Sequence, residues 1–414
     1  MSKALISPTS TLTREHLVAE TRQVRAGPRG RITKMRSVIP AHQAGKRYHH
    51  AQVFQQSFPT VPHNVFANGG ARATARLEGS QYTRNKSFAL TFDVSWDAPC
   101  TILPAAHWFS RISFFTSGGS KHAQTLTSDS IEAFFNCYEH RQLDGVLALA
   151  NSDASWGSHA KAAAGSMRVV IPLPATFLDN AFMDQDDAQD ILIHLFPRAG
   201  GILESGSAAI TCNSAGCIVQ TDAITQKDRA ETLALVSSSI MTRCFIDPVR
   251  VEYNAVQLGP SQRHQFSLEN LSGNCAGLLL YIKSAGQAGA AVYNAVAPGE
   301  DALIDVKSVS NVSRWGAGQP VRDDYCRSYL FPHHFPGSNY AQNRAVIFVP
   351  FADDVKAALH GVRSGGCMSF NSARDTLEVI PGAQFASGQY DCVLVALMFK
   401  LAHTRNGDVS IENA

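Results

Sequence analysis

The residues Ala345-Val346-Ile347-Phe348-Val349-Pro350-Phe351 form an apolar run that closes on a proline. Downstream lie Ala352-Asp353-Asp354-Val355, the turn-prone Ser364-Gly365-Gly366-Cys367-Met368-Ser369-Phe370, and two further strand-like runs reaching His403. Residues 167–196 open in the same way. There Val169-Val170-Ile171-Pro172-Leu173-Pro174 is followed by a short segment around Phe177 and Asp179 and then by Ile191-Leu192-Ile193-His194-Leu195-Phe196. Pro172 and Pro350 stand 178 positions apart, close to half the usable chain. A long internal period built from strand-like runs predicts two copies of one β-domain.

Length and composition agree with two units. The chain has 414 residues, whereas single domains hold roughly 100–200. Charged residues make up 17% of it, below the ~25% usual for globular chains, which points to surface hidden in an assembly. The net charge of +2 excludes a basic field across a whole domain. Charge is nevertheless uneven, because Arg14, Arg22, Arg25, Arg29, Arg31, Lys34 and Arg36 face only Glu15 and Glu20. Residues 1–38 read as a basic arm with a short helical start at Thr13–Glu20, ended by Gly27-Pro28-Arg29-Gly30. The nine cysteines are odd in number and sit in apolar runs such as Asp391-Cys392-Val393, the pattern of buried free thiols in a reducing compartment. No apolar leader is seen and no window reaches ~18 apolar residues, so neither secretion nor a membrane-spanning helix is expected.

The interior punctuation is that of a β-protein. Ser87–Ser95 alternates Phe88, Leu90, Phe92 and Val94 with mostly polar partners, the period of a half-buried strand. Further strands are predicted within 104–115, 208–223, 245–253, 264–268 and 277–283. Thr127-Ser128-Asp129 followed by Ile131, Phe134, Phe135 and Tyr138 predicts one helix, and Lys227–Leu233 has good helix propensity at the boundary between the halves. Residues 147–165 read as a surface loop, and 306–336, with Trp315, Pro320, Pro332 and Pro336, as a long loop that is functional or packed against a neighbour.

Chemistry-bearing patterns are weak. Cys212-Asn213-Ser214-Ala215-Gly216-Cys217 has the spacing of half a zinc site, with His49-His50 or Cys326 and His333-His334 as candidate second halves, but no second closely spaced pair accompanies it. Core thiols are the preferred reading. Asp323-Asp324, Asp353-Asp354 and the Asp184/Asp186/Asp187 cluster lack the alternating ligand pattern of a calcium loop and read as solvated carboxylates. There is no nucleophile elbow, and neither Gly118-Gly119 nor Gly365-Gly366 leads into a phosphate-loop lysine. Asn270-Leu271-Ser272 and Asn311-Val312-Ser313 match the glycosylation pattern, which is short and frequent by chance. No catalytic, cofactor or metal residue is assigned.

In order and spacing, a set of short motifs resembles the double jelly-roll major capsid proteins of icosahedral viruses, the lineage of adenovirus hexon, tailless membrane phages, virophages and polinton-like viruses. In the first half these are Phe92-Asp93-Val94, Pro104, Trp108-Phe109-Ser110-Arg111-Ile112, Gly118-Gly119, Gln124-Thr125-Leu126, Asp129 and Ile171-Pro172-Leu173-Pro174. In the second they are Val251-Glu252-Tyr253, Leu271-Ser272-Gly273, Leu279-Leu280-Tyr281-Ile282, Phe351-Ala352 and Ser364-Gly365-Gly366 leading to Phe370. The ordered pattern spans about residues 50–410, and the loop 141–165 departs from it.

The resemblance implies a mainly β chain of two tandem eight-stranded jelly-roll (β-sandwich) domains with few short helices, divided here as arm 1–38, first jelly roll 39–240 and second 241–414. It implies a homotrimeric, pseudo-hexagonal capsomer, with neighbouring capsomers, penton and minor capsid proteins as partners. The virion shell is the expected location, after synthesis in the host cytoplasm or nucleus. The basic arm would face an internal membrane or the genome, where each Lys or Arg near an anionic surface contributes about 1 kcal/mol. Two alternatives stay open. One is a glycan-binding or glycan-processing jelly-roll protein using Trp108, Trp156, Trp315 and the Asp clusters. The other is an RNA-virus-type coat protein with a shell and a protruding domain.

Overall fold

The computed structural model describes residues 49–77, 83–116, 121–131, 159–173, 182–183, 191–223, 241–285, 296–316, 319–334, 346–355, 366–371, 374–405 and 408–413. The basic arm, the part of the predicted helix beyond Ile131, most of the predicted 147–165 loop and residues 224–240 at the boundary lie outside these residues.

In chain order the first half contains β1 (His49–Ser57), β2 (Ala73–Leu77), β3 (Thr83–Trp96), β4 (Cys100–Ile102), β5 (Phe109–Thr116), β6 (Lys121–Thr127), β7 (His159–Lys161), β8 (Gly165–Leu173), β9 (Phe182–Met183), β10 (Ile191–Pro197), β11 (Leu203–Gly206) and β12 (Ile210–Ala223). The second half contains β13 (Met241–Leu258), β14 (His264–Ser267), β15 (Ser272–Ser284), β16 (Leu303–Lys307), β17 (Val321–Arg322), β18 (Val346–Pro350), β19 (Met368–Asn371), β20 (Thr376–Ile380), β21 (Gly388–Arg405) and β22 (Asp408–Asn413).

Eight strands of the first half make two facing sheets, β1-β12-β3-β8 and β2-β10-β5-β6. Numbered among those eight alone, the orders are first-eighth-third-sixth and second-seventh-fourth-fifth. The second half repeats both orders, as β13-β21-β15-β18 and β14-β20-β16-β17. Each half is therefore an eight-stranded antiparallel jelly roll. Even an accessory strand repeats, since β9 pairs with β3 and β19 with β15, each lying between the sixth and seventh strands of its barrel. Among the described strands no ladder joins β1–β12 to β13–β22. Pro172 lies in β8 opposite Ala89, and Pro350 ends β18 opposite Gly277, so the two prolines mark the same strand of each barrel.

The patterns follow burial. In β3, Phe88, Leu90, Phe92, Val94 and Trp96 point into the first core, where Phe66 contacts Phe92, Trp108 and Phe109 edge-on at centroid distances of 5.0, 4.9 and 5.6 Å. In the second barrel the larger sheet is buried on both faces. Leu278, Leu280 and Ile282 line its core, while Leu279, Tyr281, Val346, Phe348, Val395 and Leu397 form an apolar cluster on the opposite face. A strand with two buried faces loses its alternation and reads as one apolar run, which is why 345–351 carries no period.

Within 104–115 the predicted strand is β5, beginning at Phe109 after a short 3-10 turn at Ala105–His107. One expectation is corrected. The region 306–336 is not one long loop. It holds β17 and a helical segment at 323–334, formed by Asp323–Tyr325, a π-helical stretch Cys326–Leu330 and Phe331–His334. Propensity argues against a helix containing Pro332, but the tertiary structure overrides it. Phe331 and His334 are buried on Phe348 at centroid distances of 5.2 and 5.6 Å, and Asp323 and Asp324 supply negative charge to the first turn.

Candidate functional site

The two barrels meet at a seam built by β6 and the helical turn 128–131 that follows it, the start of the helix predicted there. Thr127 starts that turn by accepting the Ser130 backbone N–H at 3.2 Å, a local N-cap. The turn holds Asp129, 5% exposed, against the second barrel. Its carboxylate accepts Lys283 Nζ of β15 at 2.5 Å and Arg250 Nε of β13 at 2.7 Å. Burial raises the Asp129 carboxyl, but the two cations outweigh it and hold the group below the usual carboxylate range. Arg250 also reaches Glu252.

A second cluster lies along the same seam. Asp247 of β13 is buried and pairs with Lys400 Nζ of β21 at 2.5 Å. Burial pushes its carboxyl up, opposed by Lys400, by His122 and by a hydrogen bond from the Gln124 side chain, the last two residues coming from β6. Beside it Phe245 of β13 enters the core of the first barrel, and Ile411 of β22 packs against that core. Strands of the second barrel thus close one edge of the first.

Of the residues named from the sequence, the structure brings few together. Trp108, 1% exposed, donates its indole N–H to the Leu103 carbonyl in the first core, and Trp315 donates to the Pro350 carbonyl beside the second. They form no shared aromatic platform, and Trp156 lies outside the described residues. Cys100, Cys212, Cys217, Cys275, Cys326 and Cys392 are buried free thiols. Burial pushes Cys212 up to about 11 and Cys217 up to about 12, so both stay protonated near neutrality. Among the described residues no three His, Cys, Asp or Glu side chains converge as a ligand set.

Asp323 corrects the reading of that pair as solvated carboxylates. It is fully buried and paired with Arg327 one helical turn on, whereas Asp324 is partly exposed and paired with Arg322. Asp184, Asp186, Asp187 and all seven basic residues of the arm lie outside the described residues.

The exposed side of the 323–334 segment carries a feature not foreseen in the sequence. Tyr325 and Tyr329 are 47% and 57% exposed and stack at 5.1 Å, and His333 continues the ladder at 6.1 Å with its ring within 2° of parallel. The spacing i, i+4, i+8 was legible in principle, but only on a segment already known to be helical.

No protein-family model and no curated protein matches the sequence. Solved structures match it in fold. PBCV-1 VP54, fitted into a cryo-EM reconstruction of the virophage Sputnik, aligns with a TM-score of 0.65, covering 89% of this chain and 98% of its own at 10% identity. The Faustovirus major capsid protein aligns at 0.55, covering 93% and 96% at 10% identity. The Sputnik virophage structure aligns at 0.52, covering 94% and 92% at 9% identity. The chain has the double jelly-roll fold of viral major capsid proteins. In this double jelly roll, the seam joins the two barrels of one chain, and the tyrosine ladder is exposed.

Proposed function

We propose that the chain is a structural major capsid subunit that forms homotrimeric, pseudo-hexagonal capsomers of an icosahedral shell. The observation that carries this reading is the duplicated strand order within one chain, with the two barrels held side by side where buried Asp129 of the first pairs with Lys283 and Arg250 of the second. Two alike barrels per chain give six in a trimer, which approximates hexagonal symmetry. The same likeness argues against the coat-protein alternative, which needs unlike shell and protruding domains. Burial of Trp108 in the core removes one of the platforms that the glycan alternative needs.

The remaining parts follow from this role. The arm 1–38 would face an internal membrane or genome, the barrels would occupy 39–240 and 241–414, and the partners would be neighbouring capsomers with penton and minor capsid proteins. The location would be the virion, and the role needs no catalysis. Purified protein is expected to have a mass close to three times 44.7 kDa by light scattering, and to appear as hexagonal particles in the electron microscope. A monomer without threefold symmetry would overturn the proposal.

A further inference from the structure

The outward face of the sheet β2-β10-β5-β6 has an unusual charge pattern. Register places its outward residues in rows across the strands. Arg72, Phe196 and Arg111 are neighbours at one end, His194 lies between Thr74 and Ser113 in the middle, and Arg76, Leu192, Phe115 and His122 fill the far row. These positions carry three arginines and two histidines, and no carboxylate. Arg72 and Arg111 are exposed, and their guanidinium carbons lie 4.9 and 4.0 Å from the centre of the same Phe196 ring. Arg72 also hydrogen-bonds His194 Nδ1, and the His194 ring packs against Phe115 with centroids 4.6 Å apart and planes tilted by 43°. Among the described residues neither Arg72 nor Arg111 has an acidic partner. At the β6 edge, Asp247 is buried and already paired with Lys400, and Asp129, just beyond Thr127, with Lys283 and Arg250.

The second barrel provides an internal comparison. On the equivalent face of β14-β20-β16-β17, Lys307 and Arg263 both pair with Glu378, at 2.8 and 3.3 Å. The duplicated sheet has neutralised these cations within the chain, whereas Arg72 and Arg111 of the first barrel have no acidic partner among the described residues. An arginine held against an aromatic ring keeps its planar fork of donors free and ordered, which suits bidentate capture of carboxylates. The whole chain is nearly neutral, with 36 basic and 34 acidic residues, so a basic face must be matched by acidic surface elsewhere. The run at 184–190 holds Asp184, Asp186, Asp187 and Asp190 with no basic residue. Within its own chain that run leads directly into Ile191, at the opposite end of β10 from Phe196 and the Arg72–Arg111 pair.

We propose that this face docks a carboxylate-rich segment of a second copy of the chain, the run at 184–190 being the segment whose charge matches it. The inference rests on the reading of the chain as a self-assembling subunit.

Charge exchange tests it. Self-association would be measured by sedimentation velocity at low and high salt for three proteins: wild type, Arg72→Glu with Arg111→Glu, and Asp184→Lys with Asp186→Lys and Asp187→Lys. Each variant alone is expected to associate about tenfold or more weakly than wild type, and an equimolar mixture of the two to recover within about threefold. The milder Arg72→Gln/Arg111→Gln pair should weaken association in the same direction, with melting curves confirming that every variant folds. Association of the arginine variants at wild-type strength, or no recovery on mixing, would overturn the proposal while leaving the capsid reading intact. So would loss of binding to a single-stranded oligonucleotide with self-association unchanged, because the occupant would then be a polyanion. A wild type that stays monomeric throughout would overturn the capsid reading, and this inference with it.

Discussion

Asp129 illustrates what a single residue contributes. It neutralises Lys283, which is itself buried, and Arg250, so removing the carboxylate strands a charge in the seam. Asp129→Ala is expected to cost about 3–5 kcal/mol in urea unfolding, and Asp129→Asn less, because the amide oxygen still accepts one hydrogen bond. Asp323 and His334 bring pH into the account from opposite sides. Burial pushes the Asp323 carboxyl up to about 6 against the opposing Arg327 guanidinium, and burial lowers the His334 imidazole to about 4. Asp323 takes up a proton more readily in the folded state. Its stabilising contribution is therefore complete below its ordinary value of 3.8 and is lost as pH rises through about 6. His334 is harder to protonate when folded. Its contribution is complete above its ordinary value of 6.5 and is lost as pH falls toward about 4. The two slopes oppose each other between these limits. Melting temperature against pH should fall more steeply on acidification in Asp323→Asn than in wild type, and rise relative to wild type in His334→Gln.

At the level of elements, strands and helices differed in how far the sequence revealed them. Strand β3 was legible because one face meets the core and the other does not, so Phe88 to Val94 alternate. The two prolines exposed the duplication because each sits in the same strand of its barrel. The segment 323–334 was not legible, since Pro332 lowers its propensity and its stability comes from Phe331 and His334 meeting Phe348. The seam was hidden for another reason. Asp129 finds Arg250 and Lys283 at 121 and 154 residues' separation, which no local pattern encodes. The 323–334 segment also separates stability from assembly. Phe331→Ala should cost about 3–5 kcal/mol through a core cavity. Tyr329→Ser, on the exposed side, should change stability by no more than about 0.5 kcal/mol. If the ladder is covered in the proposed trimer, the same Tyr329→Ser change should reduce the trimer fraction measured by light scattering.

For the whole molecule, the seam makes two barrels behave as one body. Among the described strands the sheets share no ladder, yet Phe245 enters the first core from β13, the edge strand of the second barrel's larger sheet. Thermal unfolding of the wild type is therefore expected to show one calorimetric transition. Asp129→Ala, which loosens the joint without entering either core, should separate it into two. A rigid pair of barrels suits the proposed shell, where each subunit would present the same angle to every neighbour. The low charged fraction noted in the sequence has part of its explanation here, since the larger sheet of the second barrel is apolar on both faces.

The paired prolines have a further consequence. Strands β8 and β18 are the outermost members of their four-strand paths, the places where an unpaired backbone would template the addition of a foreign strand. A proline has no N–H to offer, and in a sheet it is tolerated where that group would point away from its neighbour. Pro172 and Pro350 thus deny a donor to any incoming chain at the equivalent border of both barrels. Growth by strand addition, the route to fibres, is blunted there twice over, and contact between copies is left to side chains, whose geometry can close on itself.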